Sequence, residues 1–548
     1  MAVVMALGIG AAACTPGPGP GGGPGGGPGE GHGPGPGRPG EVGSGNGYLD
    51  GPEWDRRRGE YLRYATEELQ RTSPANVLAH LARAEQDRRY RFDATTITPD
   101  DFAATFAKID AHQDTSDFDM LRLMALWWGH RRSLSPDLRA AVEQRFRSFR
   151  YWYTDPLPAP AGTVDEKWFW SENHRIIVHA LEYLAGRALP DATFDVTGET
   201  GRTHAARGRS RVEAWLDEKA RWGFSEWHSD VYYAEDVEAL LLLVEHAEPD
   251  LARRAAGMLD LFLYDLALHQ LQGNNGVTHG RSYMKDKSRA ADQDVFTTVK
   301  LLFRTTDQPY TSRSDPRAVG LAGARRYRLP LVVERVARSD RTFVDREHMG
   351  VPLDLDQPYA DDPPSPVEGV SFTDPAAVPF WWERGALTAW QVVPLTLATI
   401  EQHDLWATRL FQPYRSLADV AGGDPAVARQ LAHGLRCMIN LGVLSAVDTV
   451  TWRSPDAMLS TAQDYRPGCF GHQYHAWQAT LDEDAVVFTT HPGNEPRPGD
   501  RWADADLYWN GGTMPRSAQQ GAAAIHLYAP QYASPSGPPL DAFAYLPF

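Results

Sequence analysis

The 548-residue chain has little of three things, and each scarcity excludes a class of protein. Its 3 cysteines are too few for a disulfide scaffold or a cysteine-based zinc site; Cys437 and Cys469 could form one bridge or remain two free thiols. Acidic residues outnumber basic ones, 71 to 54, and a net charge of -17 argues against a nucleic-acid partner, which requires a basic face. No apolar run reaches the roughly 18 residues of a membrane-spanning helix.

The first 47 residues have the composition of a targeting signal followed by a flexible tether. MAVVMALGIGAAAC, residues 1–14, resembles a bacterial lipoprotein signal, although no Lys or Arg precedes its apolar stretch. Residues 15–47 are mostly Gly and Pro, which cannot offset the entropy lost on ordering, so we predict a flexible tether. We therefore expect an extracytoplasmic protein, secreted or held at the cell surface by a lipid anchor at Cys14.

Residues 48–445 carry the pattern of helices. SRVEAWLDEKARWG and LARRAAGMLDLFLYDLALHQL have apolar residues three and four positions apart, and the breaks contain Gly, Pro, Asp or Asn. Other segments, such as RIIVHALEYLAG, are apolar nearly all round. Amphipathic helices alternating with fully buried ones suit a two-layer ring, so the pattern favours an α/α toroid. An irregular helical domain is the alternative, because no strict repeat is visible.

Residues 446–548 have a different pattern. AVDTVTW, YHAWQATL, DAVVFTTH and AAIHLYAP are short, rich in β-branched and aromatic residues, and separated by RPG, HPGN and NGG turns. This predicts an antiparallel β-sandwich. A sandwich usually needs about seven strands, more than this stretch supplies, and we expect the natural chain to continue past residue 548.

Four polar clusters stand out against this background. The sequence SENHR places an acid, an amide, an imidazole and a guanidinium in a row between the aromatic WFW and an apolar helix, which packing alone does not require. Ser171 is a plausible N-cap there. The clusters are SENHR (171–175), GFSEWHSDVYYAED (223–236), the long loop GNNGVTHGRSYMKDKSR (273–289), and the β-segment that contains His472 and His475.

A toroid followed by an antiparallel β-domain resembles the toroid-type polysaccharide lyases, heparinase II/III-like and alginate lyase-like. The resemblance implies a cleft at the inner helix ends and cleavage of a uronic-acid glycan by β-elimination, without a cofactor. The catalytic residues it implies are Asn173, His174, His228, Tyr232, Tyr233, His279, Tyr283 and His475. The substrate-binding residues it implies are Trp170, Glu172, Arg175, Trp227, Asn275, Arg281 and Arg289.

The chemistry of elimination explains these residue types. The proton next to a uronate carboxylate leaves only if the carboxylate charge is neutralised, and an amide, imidazole or arginine does this. A His or Tyr takes the proton, and another returns one to the leaving oxygen. By the resemblance, Asn173 and His174 neutralise, Tyr232 or Tyr233 and Tyr283 transfer protons, and the base is one of the histidines. Those histidines are His228, His279 and His475.

Two tests of charge and geometry apply to this prediction. Arg281, Lys285, Lys287 and Arg289 fall within nine residues and could form the positive patch that an anionic glycan needs, or a solvated loop. On a strand, His475 shares a face with Trp477 and is favoured over His472 as a contributor to the cleft. Since residues three apart on a strand face opposite ways, these two histidines do not predict a metal site.

Two alternatives come from other classes. An inverting hydrolase on the same ring would need two carboxylates about 6.5–9.5 Å apart, and Glu172 with Asp230 or Glu226 could supply them. A surface glycan-binding lipoprotein would explain the 17 tryptophans and the anchor, but not the convergence of titratable groups.

Overall fold

The computed structural model describes residues 4–6, 47–67, 72–157, 164–287, 289–311, 316–351, 353, 365–439, 446–465, 473–489 and 514–529. Three predictions fall on other residues: the anchor at Cys14, the tether up to residue 46, and the placement of Cys469 and His472. The described chain is a mixture of helices and antiparallel sheet, so it is an α+β protein.

Most helices precede residue 340, as the apolar spacing predicts. They are α1 Pro52–Glu67, α2 Pro74–Gln86, α3 Ala103–Asp110, α4 Ser116–His130, α5 Pro136–Ser148, α6 Glu172–Ala188, α7 Gly201–Trp222, α8 Tyr232–His246, α9 Pro249–Leu268, α10 Met284–Lys287, α11 Phe296–Phe303, α12 Val319–Gly323 and α13 Leu331–Ala337. Five more follow: α14 Val378–Glu383, α15 Val393–Gln402, α16 Arg415–Ala421, α17 Pro425–Gly434 and α18 Arg436–Ile439.

Helix α6 is buried on every side along most of its length, whereas its partner α7 is amphipathic. In α7 the buried positions recur every three or four residues, the period that places one stripe of a helix against a neighbour. Glycine permits a close approach: a Cβ on Gly208 would lie 2.5 Å from the backbone nitrogen of Tyr183. Helix α8 packs against both α6 and α9, and α4 packs against α6. A fully buried helix is thus enclosed by its neighbours, of which α7 is amphipathic.

The strands form two antiparallel sheets. They are β1 Val4–Ala6, β2 Phe343–Gly350, β3 Ala446–Arg453, β4 Met458–Ala462, β5 Trp477–Thr480, β6 Val486–Val487, β7 Arg516–Gln520 and β8 Ala523–Leu527. The larger sheet has the order β2-β3-β4-β5-β6, and the smaller has the order β1-β8-β7. Strand β2 lies inside the range 48–445 that the sequence pattern predicted as helical, and it pairs with β3 along all eight residues.

A separate aromatic core lies between β2 and β3 in sequence. Residues 378–411 pack against the segment that leads into α6, and Trp170 and Trp382 meet edge to face with ring centroids 4.9 Å apart. The tryptophans have two locations. Trp215 and Trp477 are buried in the core, whereas Trp168 and Trp170 line a cavity described below. In the part of the chain that the structure describes, no helix has the length and apolar character needed to cross a bilayer.

Candidate functional site

A polar cavity of about 330 Å³ lies where α6 and α8 begin. The helical core, the aromatic core and Gln473, which lies in the segment before β5, all contribute to its wall. Of the residues that the sequence analysis named, it brings together Trp170, Asn173, His174, Tyr232, Arg281 and Tyr283. Three of the four predicted clusters therefore supply predicted side chains to one cavity, and the fourth contributes Gln473.

The N-terminus of α6 is capped from another segment. Ser171 occupies the N-cap position, as predicted, but its side chain makes no capping hydrogen bond. Instead the Glu226 carboxylate accepts from the backbone N–H of Asn173 at 3.3 Å and from its amide Nδ2 at 2.6 Å. A carboxylate is favoured at this end of a helix, because the unpaired N–H groups are positive.

His174 carries a carboxylate partner behind the cavity wall. Its Nδ1 lies 2.5 Å from Oδ2 of Asp117, which stands in the first turn of α4, and its ring stacks on Phe118. Burial alone would lower the pKa of His174, but the charge and hydrogen bond of Asp117 raise it above the ordinary value. The imidazole is therefore biased toward its positive form at the cavity.

Tyr232 and Tyr283 form a hydroxyl pair in the cavity wall. Their oxygen atoms lie 2.5 Å apart, and Arg281 lies 5.0 Å above the Tyr232 ring with Nη2 3.5 Å from its hydroxyl. Burial raises the pKa of Tyr232 well above the usual range, although the Arg281 charge opposes this. A proton can pass between the two hydroxyls without either ring moving.

Glu172 and Arg175, the outer members of SENHR, do not line the cavity. Glu172 accepts hydrogen bonds from the backbone N–H of Ser225 at 2.7 Å and from Lys219, so it holds the loop that carries Glu226. Arg175 bonds both oxygens of Glu218, at 2.7 and 3.0 Å, and contacts Glu383. These two side chains fasten α6 to its surroundings, while Asn173 and His174 between them reach the cavity.

His279 and His475 face each other away from the cavity. Their backbones exchange two hydrogen bonds of 3.0 Å, and their rings stack with centroids 5.7 Å apart. Burial lowers the pKa of His279 to about 3 and that of His475 well below its ordinary value. His475 thus meets the loop 273–289 at His279, but the prediction that it contributes to the cleft is wrong, because neither imidazole lines the cavity. The same β-segment reaches the wall through Gln473.

The remaining predicted residues also lie outside the cavity wall. Tyr233 is fully buried and donates to Oδ2 of Asp265 at 2.6 Å. Trp227 packs on Tyr465 and Tyr474. Two others are Asn275, whose amide donates to the His228 carbonyl, and Arg289, which is exposed.

His228 also lies outside the wall and belongs instead to a group of metal-ligand type. The four members, which we name the α9–β2 cluster, are His228, Asp265, His269 and Glu347. One ligand atom of each lies within 4.8 Å of the others.

The four basic residues of the predicted patch do not form one exposed basic surface. Lys285 pairs with Asp286 at 2.6 Å and Asp294 at 2.8 Å, and Lys287 is buried. Arg281 is the member that lines the cavity. The carboxylates of the hydrolase alternative, Glu172, Asp230 and Glu226, are absent from the cavity wall.

Several cavity residues were missed by sequence reasoning. They are Asp114, Thr115, Trp168, Glu383, Arg409 and Gln473. Trp168 stood beside the SENHR cluster, and its proximity was a usable signal. Glu383 and Arg409 come from a distant segment with no polar cluster of its own, so only the packing of the aromatic core brings them here.

Comparisons of this chain with protein-family models, with curated proteins and with solved structures found no match.

Proposed function

We propose that the chain is a polysaccharide lyase that cleaves a uronic-acid glycan by β-elimination. The observation that carries the proposal is the hydroxyl pair of Tyr232 and Tyr283, which shares one cavity with a histidine biased toward its cation, His174. Elimination needs a base, an acid and a positive group at the substrate carboxylate, and this cavity offers residues for each role.

His174 takes the larger share of charge neutralisation. Asn173 lies beside it, but one of its amide hydrogens is already taken by Glu226, which also lies 3.4 Å from Arg281. Glu226 thus offsets part of the Arg281 charge. The imidazolium of His174 and the positive N-terminus of α6 then favour a substrate carboxylate beside them.

The tyrosine pair carries the protons. Because its raised pKa keeps Tyr232 neutral, the phenolate is that of Tyr283. It takes the proton from the carbon next to the carboxylate, the electron pair left behind forms the carbon–carbon double bond, and the bond to the glycosidic oxygen breaks. The neutral phenol of the pair gives its proton to that leaving oxygen. The two tyrosines have then exchanged protonation states, and transfer across their 2.5 Å hydrogen bond restores the starting form.

The scaffold we propose is an α/α toroid with the cleft at the inner helix ends. Supporting features are the helix pairs α6–α7 and α8–α9 and the burial of α6 among its neighbours, with the amphipathic α7 on one side. An extracytoplasmic location, predicted by the segment through Cys14, suits a polymeric substrate that cannot enter a cell.

The test is incubation with a panel of uronic-acid polysaccharides and a neutral glucan. The unsaturated uronate absorbs in the ultraviolet, and we expect this absorbance with at least one acidic polymer and none with the glucan. New reducing ends without the absorbance would show hydrolysis and would support the hydrolase alternative instead. Binding without either product would favour the glycan-binding protein.

A further inference from the structure

A second site lies where strand β2 crosses the C-terminal end of α9. Asp265 and His269 are one helical turn apart at that end, and Asp345 and Glu347 alternate along β2, so that each pair shares a face. His228 enters from the loop before α8, with its Nε2 2.7 Å from Oε2 of Glu347 and 3.6 Å from Oδ1 of Asp265. The histidine rings stack with centroids 3.8 Å apart.

Hydrogen bonds orient both imidazoles in the same sense. Nδ1 of His228 lies 3.1 Å from the Thr278 carbonyl oxygen, and Nδ1 of His269 lies 2.9 Å from the Asp265 carbonyl oxygen. Nδ1 of His269 also lies 2.6 Å from Oδ1 of Asp265. Since carbonyl and carboxylate oxygens only accept, Nδ1 is the donor in each ring, and in the neutral imidazole Nε2 presents a lone pair. Histidines that bind metals are held in this way by the nitrogen that does not bind.

Two polar atoms in this region, His269 Nε2 and Asp345 Oδ2, are buried without a hydrogen-bond partner among the described residues. His269 is 1% exposed, and its Nε2 has no hydrogen-bond partner among the described residues; the Asp345 carboxylate is 3.6 Å away. His228 has a backbone φ of 50°, a left-handed conformation that residues with a Cβ adopt rarely. Unsatisfied groups and strained backbone of this kind concentrate at functional sites.

We propose that the α9–β2 cluster binds one divalent transition-metal ion of the Zn²⁺ type. Two imidazoles favour such an ion over Mg²⁺ or Ca²⁺, which prefer oxygen ligands alone. Two neutral imidazoles and two carboxylates are formally neutral with a divalent ion. Tetrahedral bonds of about 2.0–2.1 Å place ligand atoms roughly 3.3 Å apart; the separations from Nε2 of His228, 2.7 and 3.6 Å, bracket that value.

The ion fastens the sheet to the helical core and steadies one side of the cavity. Four protein ligands close the coordination shell, which is typical of a structural site. The His228 carbonyl accepts from His279 at 2.5 Å, and Ser229 Oγ donates to the Arg281 carbonyl at 2.8 Å. Metal binding at His228 therefore orders the loop that carries Arg281. This proposal does not depend on the lyase proposal.

The test uses the full chain, freed of metal with a chelator and titrated with Zn²⁺ alone. We expect one equivalent bound per chain and a melting temperature higher by roughly 5 °C or more. Co²⁺ in place of Zn²⁺ should give the visible absorption bands of a tetrahedral site with nitrogen and oxygen ligands. No bound metal in the wild-type chain, with an unchanged melting temperature, would overturn the proposal.

Two variants and a matched control assign the ligands. His269→Ala and Glu347→Gln should each weaken Zn²⁺ binding at least tenfold. His348→Ala is the control, because it stands on the same strand with its side chain 60% exposed and paired with Asp448. Unchanged affinity in the ligand variants would overturn the assignment. Since Glu347 is partly exposed, that variant keeps the test decisive even if His269→Ala fails to fold.

Discussion

His174 in the cavity wall and His279 behind it are both buried imidazoles, yet their surroundings give them opposite charge preferences. His174 has Asp117 at its Nδ1, and this carboxylate outweighs burial and raises the pKa. His279 donates to a backbone carbonyl and stacks on His475, and burial lowers its pKa to about 3. A buried histidine becomes a candidate for substrate chemistry when a charged partner and an open cavity meet at the same ring.

The largest effect should come from the tyrosine pair. Tyr283→Phe removes one of the two hydroxyls needed for proton transfer, and we expect turnover to fall by about 10²–10⁴-fold with little change in melting temperature. Tyr264→Phe is the control, since Tyr264 is 42% exposed and away from the cavity. Steady-state rates on the polymer that responds in the panel provide the measurement. Near-normal turnover in Tyr283→Phe would remove the pair from the mechanism.

Asn173→Ala and His174→Ala should also lower turnover strongly, by less than Tyr283→Phe, while preserving the fold. In the proposed mechanism both side chains act on the charge that develops at the substrate carboxylate, so the loss should appear in kcat as well as in kcat/KM. Circular dichroism would check the fold. Wild-type rates in both variants would return SENHR to a purely structural role.

A smaller change should follow from Asp117→Asn. The raised pKa of His174 keeps it charged up to a pH above its ordinary value, and activity should fall as pH rises through that pKa. Without the carboxylate, burial dominates and the pKa drops, so the descending limb of kcat/KM should move to lower pH. Asp110→Asn is the control because Asp110 pairs with Arg145 at the surface. An unmoved limb would contradict the role of Asp117.

Arg281→Lys should have a modest effect, about tenfold on kcat/KM, because lysine keeps the charge but loses the planar fork beside Tyr232. Arg289→Lys should have none, since Arg289 is exposed and outside the cavity wall. The sequence pattern placed both in one patch. Equal losses in the two variants would favour that patch over the cavity seen in the structure.

His279→Asn should leave turnover nearly unchanged and alter stability instead. A histidine whose pKa is lowered on folding contributes full stability above about pH 6.5 and loses it as pH falls toward its folded pKa, by up to about 1.4 kcal/mol per pH unit. Urea unfolding of the variant should therefore depend less steeply on pH below 6.5 than that of the wild type. A large loss of kcat in a correctly folded His279→Asn variant would show that His279 takes part in catalysis.

The sequence predicted the helices better than the sheet. Residues of α6 and α7 carry their own period, so their existence and burial follow from local spacing. Strand β2 could not be found this way, because its partner β3 begins about a hundred residues later and its sequence, FVDREHMG, does not alternate apolar and polar residues. Long-range pairing leaves little trace in a short segment.

The candidate site was predicted in part for the same reason. The sequence showed Asn173, His174, Arg281 and Tyr283 in polar clusters close to where helices begin. Clusters in such positions can be expected to meet at the same end of a helical domain. Asp117 gave no such signal, since an acid in the first turn of a helix is ordinary. Whether a titratable residue meets open volume or a backbone carbonyl depends on packing between distant segments, as His279 and His475 show.

The most direct test of elimination is product analysis after digestion in water enriched in heavy oxygen. Elimination adds no water, so the account predicts unsaturated uronate ends, product masses that sum to that of the substrate, and no heavy oxygen at the new ends. Hydrolysis inserts one oxygen from water at each cleavage. Heavy oxygen at the new reducing ends, with no unsaturated product, would contradict the account.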